Sequence, residues 1–334
     1  MNVTSSSPTV KSEPASERYW PGAALTGVAL IWGINIPVMK TGLDQLDAYV
    51  FNAIRLTIST VVLVVWAQVE RYRATRPQQD ASRIRLLIYG ILASGLYQLL
   101  FLLGMERTTS GNTALIMATV PVWTALLARL WIGEHLKCVA WAGLLVALIG
   151  TITVALEETS ASTGTDHLSG NLCIFCAALM WSGATVYSRP MLQLISPLRL
   201  AASAALITWP LHLLFAAGRY TNSLSSLQSI DIWLILVYTG VLSSGLALPM
   251  WNLGVRHAGA GHAAVIQNLV PLVAILTAWI CRGESASPTQ FFGGGLILGG
   301  LVIMRRGRQN HDTDETSANQ ASYANALTRE QHQE

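Results

Sequence analysis

The feature that most constrains how this chain can fold is a duplication. Residues 106–134, ERTTSGNTALIMATVPVWTALLARLWIGE, align without a gap on residues 256–284, RHAGAGHAAVIQNLVPLVAILTAWICRGE. Gly111 falls on Gly261, Ala114 on Ala264, Pro121 on Pro271, and Gly133-Glu134 on Gly283-Glu284. The same offset pairs Gly90, Ser94-Gly95-Leu96 and Gly104 with Gly240, Ser244-Gly245-Leu246 and Gly254. Nearer the start of each half, Ala29–Trp32 (ALIW) returns as Ala178–Trp181 (ALMW). A sequence written twice is expected to fold as two copies of one unit.

Each copy consists of long apolar runs. The chain is 52% apolar and 12% charged, where soluble proteins carry roughly a quarter charged residues. Ten apolar stretches stand near 21–40, 50–68, 86–105, 112–131, 139–156, 170–188, 198–217, 232–252, 262–280 and 290–304. Most have about the length that crosses ~30 Å of hydrocarbon as a helix; the last is short and glycine-rich. The expected fold is an all-α integral membrane protein with ten transmembrane helices. Five spans per half is an odd number, so two fused copies must face opposite ways across the bilayer. The expected organisation is therefore an N-terminal tail (1–20), a five-helix repeat (21–156), a connecting loop (157–169), an inverted second repeat (170–306) and a C-terminal tail (307–334). Both tails are polar and read as disordered. No cleavable leader is expected, because the first apolar stretch is too long for a signal sequence.

Charge sets the orientation. With the amino terminus in the cytoplasm, thirteen Lys and Arg fall in inner segments and four in outer loops, excluding those within spans and in the distal tail. Positive residues accumulate on the cytoplasmic side, so both termini are expected there. Inverted halves let one central site open to either face in turn, as in secondary transporters.

The paired segments resemble the EamA-type permeases of the drug/metabolite transporter superfamily. ALIWGINIPVMK, the FNAIRL around Arg55, and TSGNTALIMATVPVWTALLARLWIGE carry the likeness in the first half. ALMWSGATVYSRP, the PLRL around Arg199, and GAGHAAVIQNLVPLVAILTAWICRGE carry it in the second. The resemblance covers roughly residues 21–306. It implies ten helices and export or exchange of small metabolites, with location in a bacterial inner membrane.

Trp32 and Trp181 lie about twelve residues into their spans, near the bilayer midplane. A buried tryptophan there needs a partner for its indole N–H, and two at equivalent positions can wall a central cavity. Asn35 shares the face of Trp32 and is either a substrate contact or interhelical glue. Thr185, four residues after Trp181, is a weaker candidate in the second half. Tyr97 and Gln98 continue a polar streak after Ser94-Gly95, and one of the two is expected to turn away from the other. Gln267 and Asn268 supply amides at similar depth. These eight residues form the candidate substrate-binding set.

Pro121 and Pro271 are expected to kink mid-span helices and to free the carbonyls of Met117 and Gln267, which suits gating. Lys40 and Arg189 end their spans at equivalent positions and either snorkel or attract anions as gates. Glu134 and Glu284 read as structural, favourably placed near helix N-termini. Arg55 and Arg199 lie within spans and must find a carbonyl, a carboxylate or a lipid headgroup. The acidic residues all fall in loops, tails or span ends, which leaves proton coupling without a midplane carboxylate. The sequence holds no HExxH, GxSxG or Walker-type motif, so no enzyme, cofactor, metal site or nucleic-acid partner is expected. The expected partners are a small-molecule solute and the lipid bilayer. Gly143-x-x-x-Ala147 and Gly295-x-x-x-Gly299 permit close helix contact, within the bundle or across a homodimer face.

Overall fold

In the computed structural model the structure describes residues 15–73, 81–132, 165–267, 269–283 and 287–300, with scattered positions between 138 and 153 and between 302 and 306. Among the described residues there is no strand, and every regular element is helical. Helices α1 (Ala15–Leu43) and α2 (Ala48–Arg73) come first. Asp47 Oδ1 caps α2, accepting the N–H groups of Tyr49 at 3.0 Å and Val50 at 3.2 Å. Helix α3 (Arg83–Gly90) widens into a π-helical segment, Ile91–Leu96, and continues as α4 (Tyr97–Arg107). Then follow α5 (Ser110–Met117), α6 (Val120–Ile132), α7 (Thr165–Met191), α8 (Pro197–Ala216) and α9 (Ile230–Val237). A second π-helical segment, Tyr238–Leu246, leads to α10 (Ala247–Ile266) and α11 (Leu269–Arg282).

Seven helical runs among the described residues are long and apolar enough to cross a membrane: Gly22–Leu43, Ala48–Arg73, Arg83–Arg107, Ser110–Trp131, His167–Met191, Pro197–Ala216 and Ile230–His257. Leu269–Cys281 is a shorter apolar helix. The other two expected spans fall on residues described only in part. Their described small residues meet one another. A side chain on Gly300 would collide with the backbone of Gly143 and Ala147, and one on Gly150 would meet the Gly293 carbonyl at 2.6 Å. The outside of the bundle is apolar; α8 alone exposes Leu206, Ile207, Leu211, Leu214 and Phe215. Water would make such a surface costly, whereas lipid accepts it.

The two prolines occupy different places from those expected. The chain turns at Ala118–Thr119, and Pro121 is the second residue of the next helix. Pro271 is the third residue of α11. The first N–H groups of a helix have no intrahelical acceptor, so a proline there removes no bond. It starts a helix rather than bending one. Accordingly the Gln267 carbonyl is not free, because it accepts the Val270 N–H at 2.9 Å.

The way the halves pack is reciprocal. A Cβ on Gly104 of α4 would lie 2.5 Å from Ile174 Cδ1 of α7, so the isoleucine fills the notch a glycine leaves. Gly254 of α10 offers the same notch to Leu25 of α1. Gly90 of α3 packs on Ala204 and Ile207 of α8, while Gly240 packs on Arg55 and Ile58 of α2. Each contact has a counterpart with the halves exchanged. It equates Arg55 with Ala204, whereas the sequence set it beside Arg199.

Polar ties gather at the bundle ends. Near the start of α2, Arg219 pairs with Asp47 at 3.3 Å, and Ser226 Oγ donates to Gln45 O at 2.7 Å. At the far end of α2, Ser196 Oγ donates to Glu70 Oε2 at 2.6 Å while accepting the Arg199 N–H as cap of α8.

Candidate functional site

One cavity lies among α1, α2, α4, α5, α7, α8, both π-helical segments, α10 and the start of α11, with about 880 Å³ of space between atoms, its open mouth included. Its aromatic wall comes from both halves. Trp32 and Trp181 meet edge to face with centroids 5.4 Å apart, and Trp251 stands 5.4 Å from Trp32 and 5.8 Å from Trp181. Tyr97 adds a ring 5.0 Å from Trp181. Such spacings are those of favourable aromatic pairs, each contributing about 0.5–1.5 kcal/mol beyond area burial.

The π-helical segments position this wall. Each contains the Ser-Gly pair that the sequence repeats. In the second, the Ala247 N–H reaches back five residues to Leu242 O. The widened ladder leaves a carbonyl for a side chain, and Trp32 Nε1 donates to Ser243 O at 3.0 Å.

A polar network lines the opposite wall. The Arg55 side chain is 2% exposed. Its Nε donates to Asn52 Oδ1 at 3.0 Å, Nη1 to Ser244 Oγ at 3.1 Å and Nη2 to Gln98 Oε1 at 2.5 Å. Because the Asn52 oxygen faces Arg55, its amide nitrogen faces His212 Nδ1, at 3.1 Å. His212 Nε2 then carries the hydrogen and donates to Ser94 O at 2.8 Å. The neutral imidazole satisfies every partner in this chain of bonds. Among the described residues lining the cavity none is acidic, and Arg55 is the one Arg or Lys.

Three buried polar atoms of lining residues have no protein partner: Asn35 Oδ1, Trp181 Nε1 and Gln267 Oε1. Leaving a buried polar atom unpaired costs about 1–3 kcal/mol, so these are places where a ligand group would be stabilised.

Of the eight residues proposed from sequence, Trp32, Asn35, Tyr97, Gln98, Trp181 and Gln267 line this cavity. Tyr97 and Gln98 both do so, each toward different neighbours. The cavity wraps around the start of α4, Tyr97 joining the aromatic wall and Gln98 reaching Arg55. Thr185 is buried but is not among the lining residues. Asn268, Glu134 and Glu284 lie outside the described residues. Lys40 Nζ donates to Met105 O at 2.7 Å and Glu106 O at 3.2 Å, holding the carboxyl end of α4. Arg189 lies near the reversal at Gly259 (φ 80°), where a built Cβ would be 3.7 Å from its Nη2.

Sequence reasoning missed Arg55, His212 and Ser244 as lining residues, and with them Asn52 and Trp251, which do not line the cavity but hold residues that do. An arginine inside a span was the available signal for the first. Trp251 aligns with Phe101, so the repeat itself marked an aromatic position there.

Compared with known proteins, a model of the EamA-like transporter family matches residues 21–156 and again residues 168–306. A protein of Streptantibioticus cattleyicolor, named "Probable terminal-alkyne amino-acid exporter", is 25% identical over 295 residues, spanning 87% of this chain and 94% of its own. One of Salmonella typhimurium, named "Probable amino-acid metabolite efflux pump", is 26% identical over 288 residues, spanning 83% of this chain and 91% of its own. A solved crystal structure superposes with a TM-score of 0.64 at 20% identity, over 86% of this chain and 98% of that one. That likeness concerns the fold alone.

Proposed function

Because this chain belongs to the EamA-like transporter family, we propose that it exports or exchanges a small metabolite, an amino acid or an aromatic drug-like compound, by alternating access at the central cavity. It is a multi-pass membrane transporter. In the proposed arrangement ten helices form two inverted five-helix repeats in a bacterial inner membrane, with both termini cytoplasmic. The reciprocal glycine contacts and the doubled family match support that arrangement. The names of the two relatives support an amino-acid-like solute.

The observation that carries the reading is the meeting of Trp32 and Trp181. They hold equivalent positions in the two halves and touch across one cavity whose polar atoms are partly unpaired. A second reading, an anionic metabolite such as a phosphorylated compound, is favoured by Arg55 in the cavity wall.

The test is efflux from preloaded cells with a panel of amino acids, aromatic drugs, nucleosides and sugar phosphates. Wild type is compared with Trp32→Ala/Trp181→Ala at matched membrane abundance. Selective efflux of one class, lost in the double variant, is the expected result. Efflux indifferent to both substitutions would remove the aromatic wall from the mechanism, and efflux of nothing would favour a non-transporting membrane scaffold.

A further inference from the structure

We infer that Arg55 anchors a carboxylate on the transported solute, so that the site selects monocarboxylates with an apolar or aromatic body. The inference rests on the transporter reading above and names the chemistry that reading leaves open.

Three observations carry it. The first is charge. Arg55 is a buried guanidinium whose protein partners are Asn52, Ser244 and Gln98, all neutral. Among the described residues no carboxylate pairs with it. A buried cation without a counter-ion is costly unless an anion joins it, and a lining position lets that anion be the cargo.

The second is the donor count. A guanidinium has five N–H groups, and the three bonds use one on each nitrogen. One N–H therefore remains on each Nη, and neighbouring donors of this kind suit the two oxygens of a carboxylate. Because the bonds to Asn52, Ser244 and Gln98 hold the planar group from three directions, it is oriented before a ligand arrives. The neutral His212 behind Asn52 adds no second positive charge. A single fixed cation balances a carboxylate and leaves half of a phosphate dianion unbalanced.

The third is what surrounds the charge. The same cavity offers the rings of Trp32, Trp181 and Tyr97, backed by Trp251, which accept an apolar or aromatic body, and the unpaired oxygens of Asn35 and Gln267, which accept hydrogen bonds. An α-ammonium group is one donor that would satisfy such oxygens. The site thus has a place for each part of an apolar or aromatic amino acid, and the carboxylate is the part without a substitute.

The test uses purified full-length protein in proteoliposomes and matched pairs that differ only in the carboxylate. Glycine, leucine, phenylalanine and tryptophan are each compared with their amides, with 3-phenylpropionate and phenyl phosphate as single probes. Binding is read by quenching of the protein's tryptophan fluorescence, except for the tryptophan pair, whose own emission would mask it, and transport by counterflow for every pair. The carboxylate member of the best-bound pair is expected to win by about tenfold or more, the value of a charge-assisted bond. Phenyl phosphate is expected to bind more weakly than 3-phenylpropionate.

Arg55→Gln is expected to bring the acid-to-amide ratio close to one, and Arg55→Lys to restore part of it. The ratio is taken within each variant, so it does not depend on the folded fraction. Equal binding of acid and amide by wild type, or a ratio unchanged in Arg55→Gln, overturns the inference. So does efflux of a solute lacking a carboxylate when no pair binds, although that leaves the transporter reading intact. Neither binding nor efflux of any compound would defeat both.

Discussion

Arg55 in α2 and Ala204 in α8 hold equivalent places, each packed beneath a glycine of the other half, Gly240 in one case and Gly90 in the other. The backbone contact is kept while the side chain is wholly different. The same holds around the cavity. By the sequence offsets Gln98 corresponds to Leu248, Asn35 to Ala184 and Gln267 to Met117. By contrast Gly104 with Ile174 and Gly254 with Leu25 repeat one fit twice. Helix-on-helix notches must stay alike for the halves to interlock. A cavity-facing side chain such as Arg55 or Gln98 meets its neighbours through a few polar bonds rather than through a close-packed notch, so it is freer to diverge. Scaffold symmetry and site asymmetry therefore coexist without conflict.

The sharpest way to break this comparison is to make the halves alike where they differ. Ala204→Arg puts a second guanidinium in a fully buried position whose equivalents of Gln98 and Asn52 are Leu248 and Ala201. We expect destabilisation of about 3 kcal/mol, the cost of an arginine near a helix centre, read as loss of membrane abundance and of thermal stability in detergent. Normal stability would show that the second half can supply partners, and the asymmetry argument would fall.

Making the notches unlike should cost less. Gly104→Ala and Gly254→Ala are each expected to destabilise by about 1–3 kcal/mol through overpacking. Ile174→Ala, which removes both overlapping carbons, should relieve the first in part and not the second, with Leu25→Ala doing the reverse. A thermal-stability double-mutant cycle that shows no such pairing would refute the reciprocal fit.

The smallest contrast concerns the two tryptophans. Trp32→Phe loses the bond to Ser243 O and should cost about 0.5–1.5 kcal/mol. Trp181→Phe gives up similar ring packing but an indole N–H that has no protein partner, so it should cost less than Trp32→Phe. If both variants melt together, the indoles do not differ as described.

Much of this scaffold was legible from the sequence, because apolar length and internal repetition are one-dimensional properties. Trp32, Asn35, Trp181 and Gln267 were legible in the site for a related reason: a polar or amphipathic side chain deep in a span has few places to go. Arg55 was recognisable as a charge needing a partner, but its neighbours come from α4, from α8 and from the second π-helical segment. Distances between residues so far apart in sequence are set by helix packing. The π-helical turns were hidden too, since a widened turn leaves no periodicity over six to nine residues. The prolines misled because a helix start and a helix kink carry the same residue. What separates them is the hydrogen bond from Val270 to Gln267, which only coordinates reveal.

The glycine notches also bear on the order in which the molecule is made. Leu25 lies near the start of the chain, and its seat at Gly254 is more than two hundred residues later. At ~5–20 residues per second, α1 waits on the order of ten to forty seconds after synthesis before its groove exists. Gly104 waits far less for Ile174. During that interval the Leu25 flank of α1 has only lipid or the insertion machinery to rest on. A ribosome stalled before residue 230 would hold a first helix that can meet α4 through Lys40 and α7 through Trp32 but has no seat yet for Leu25.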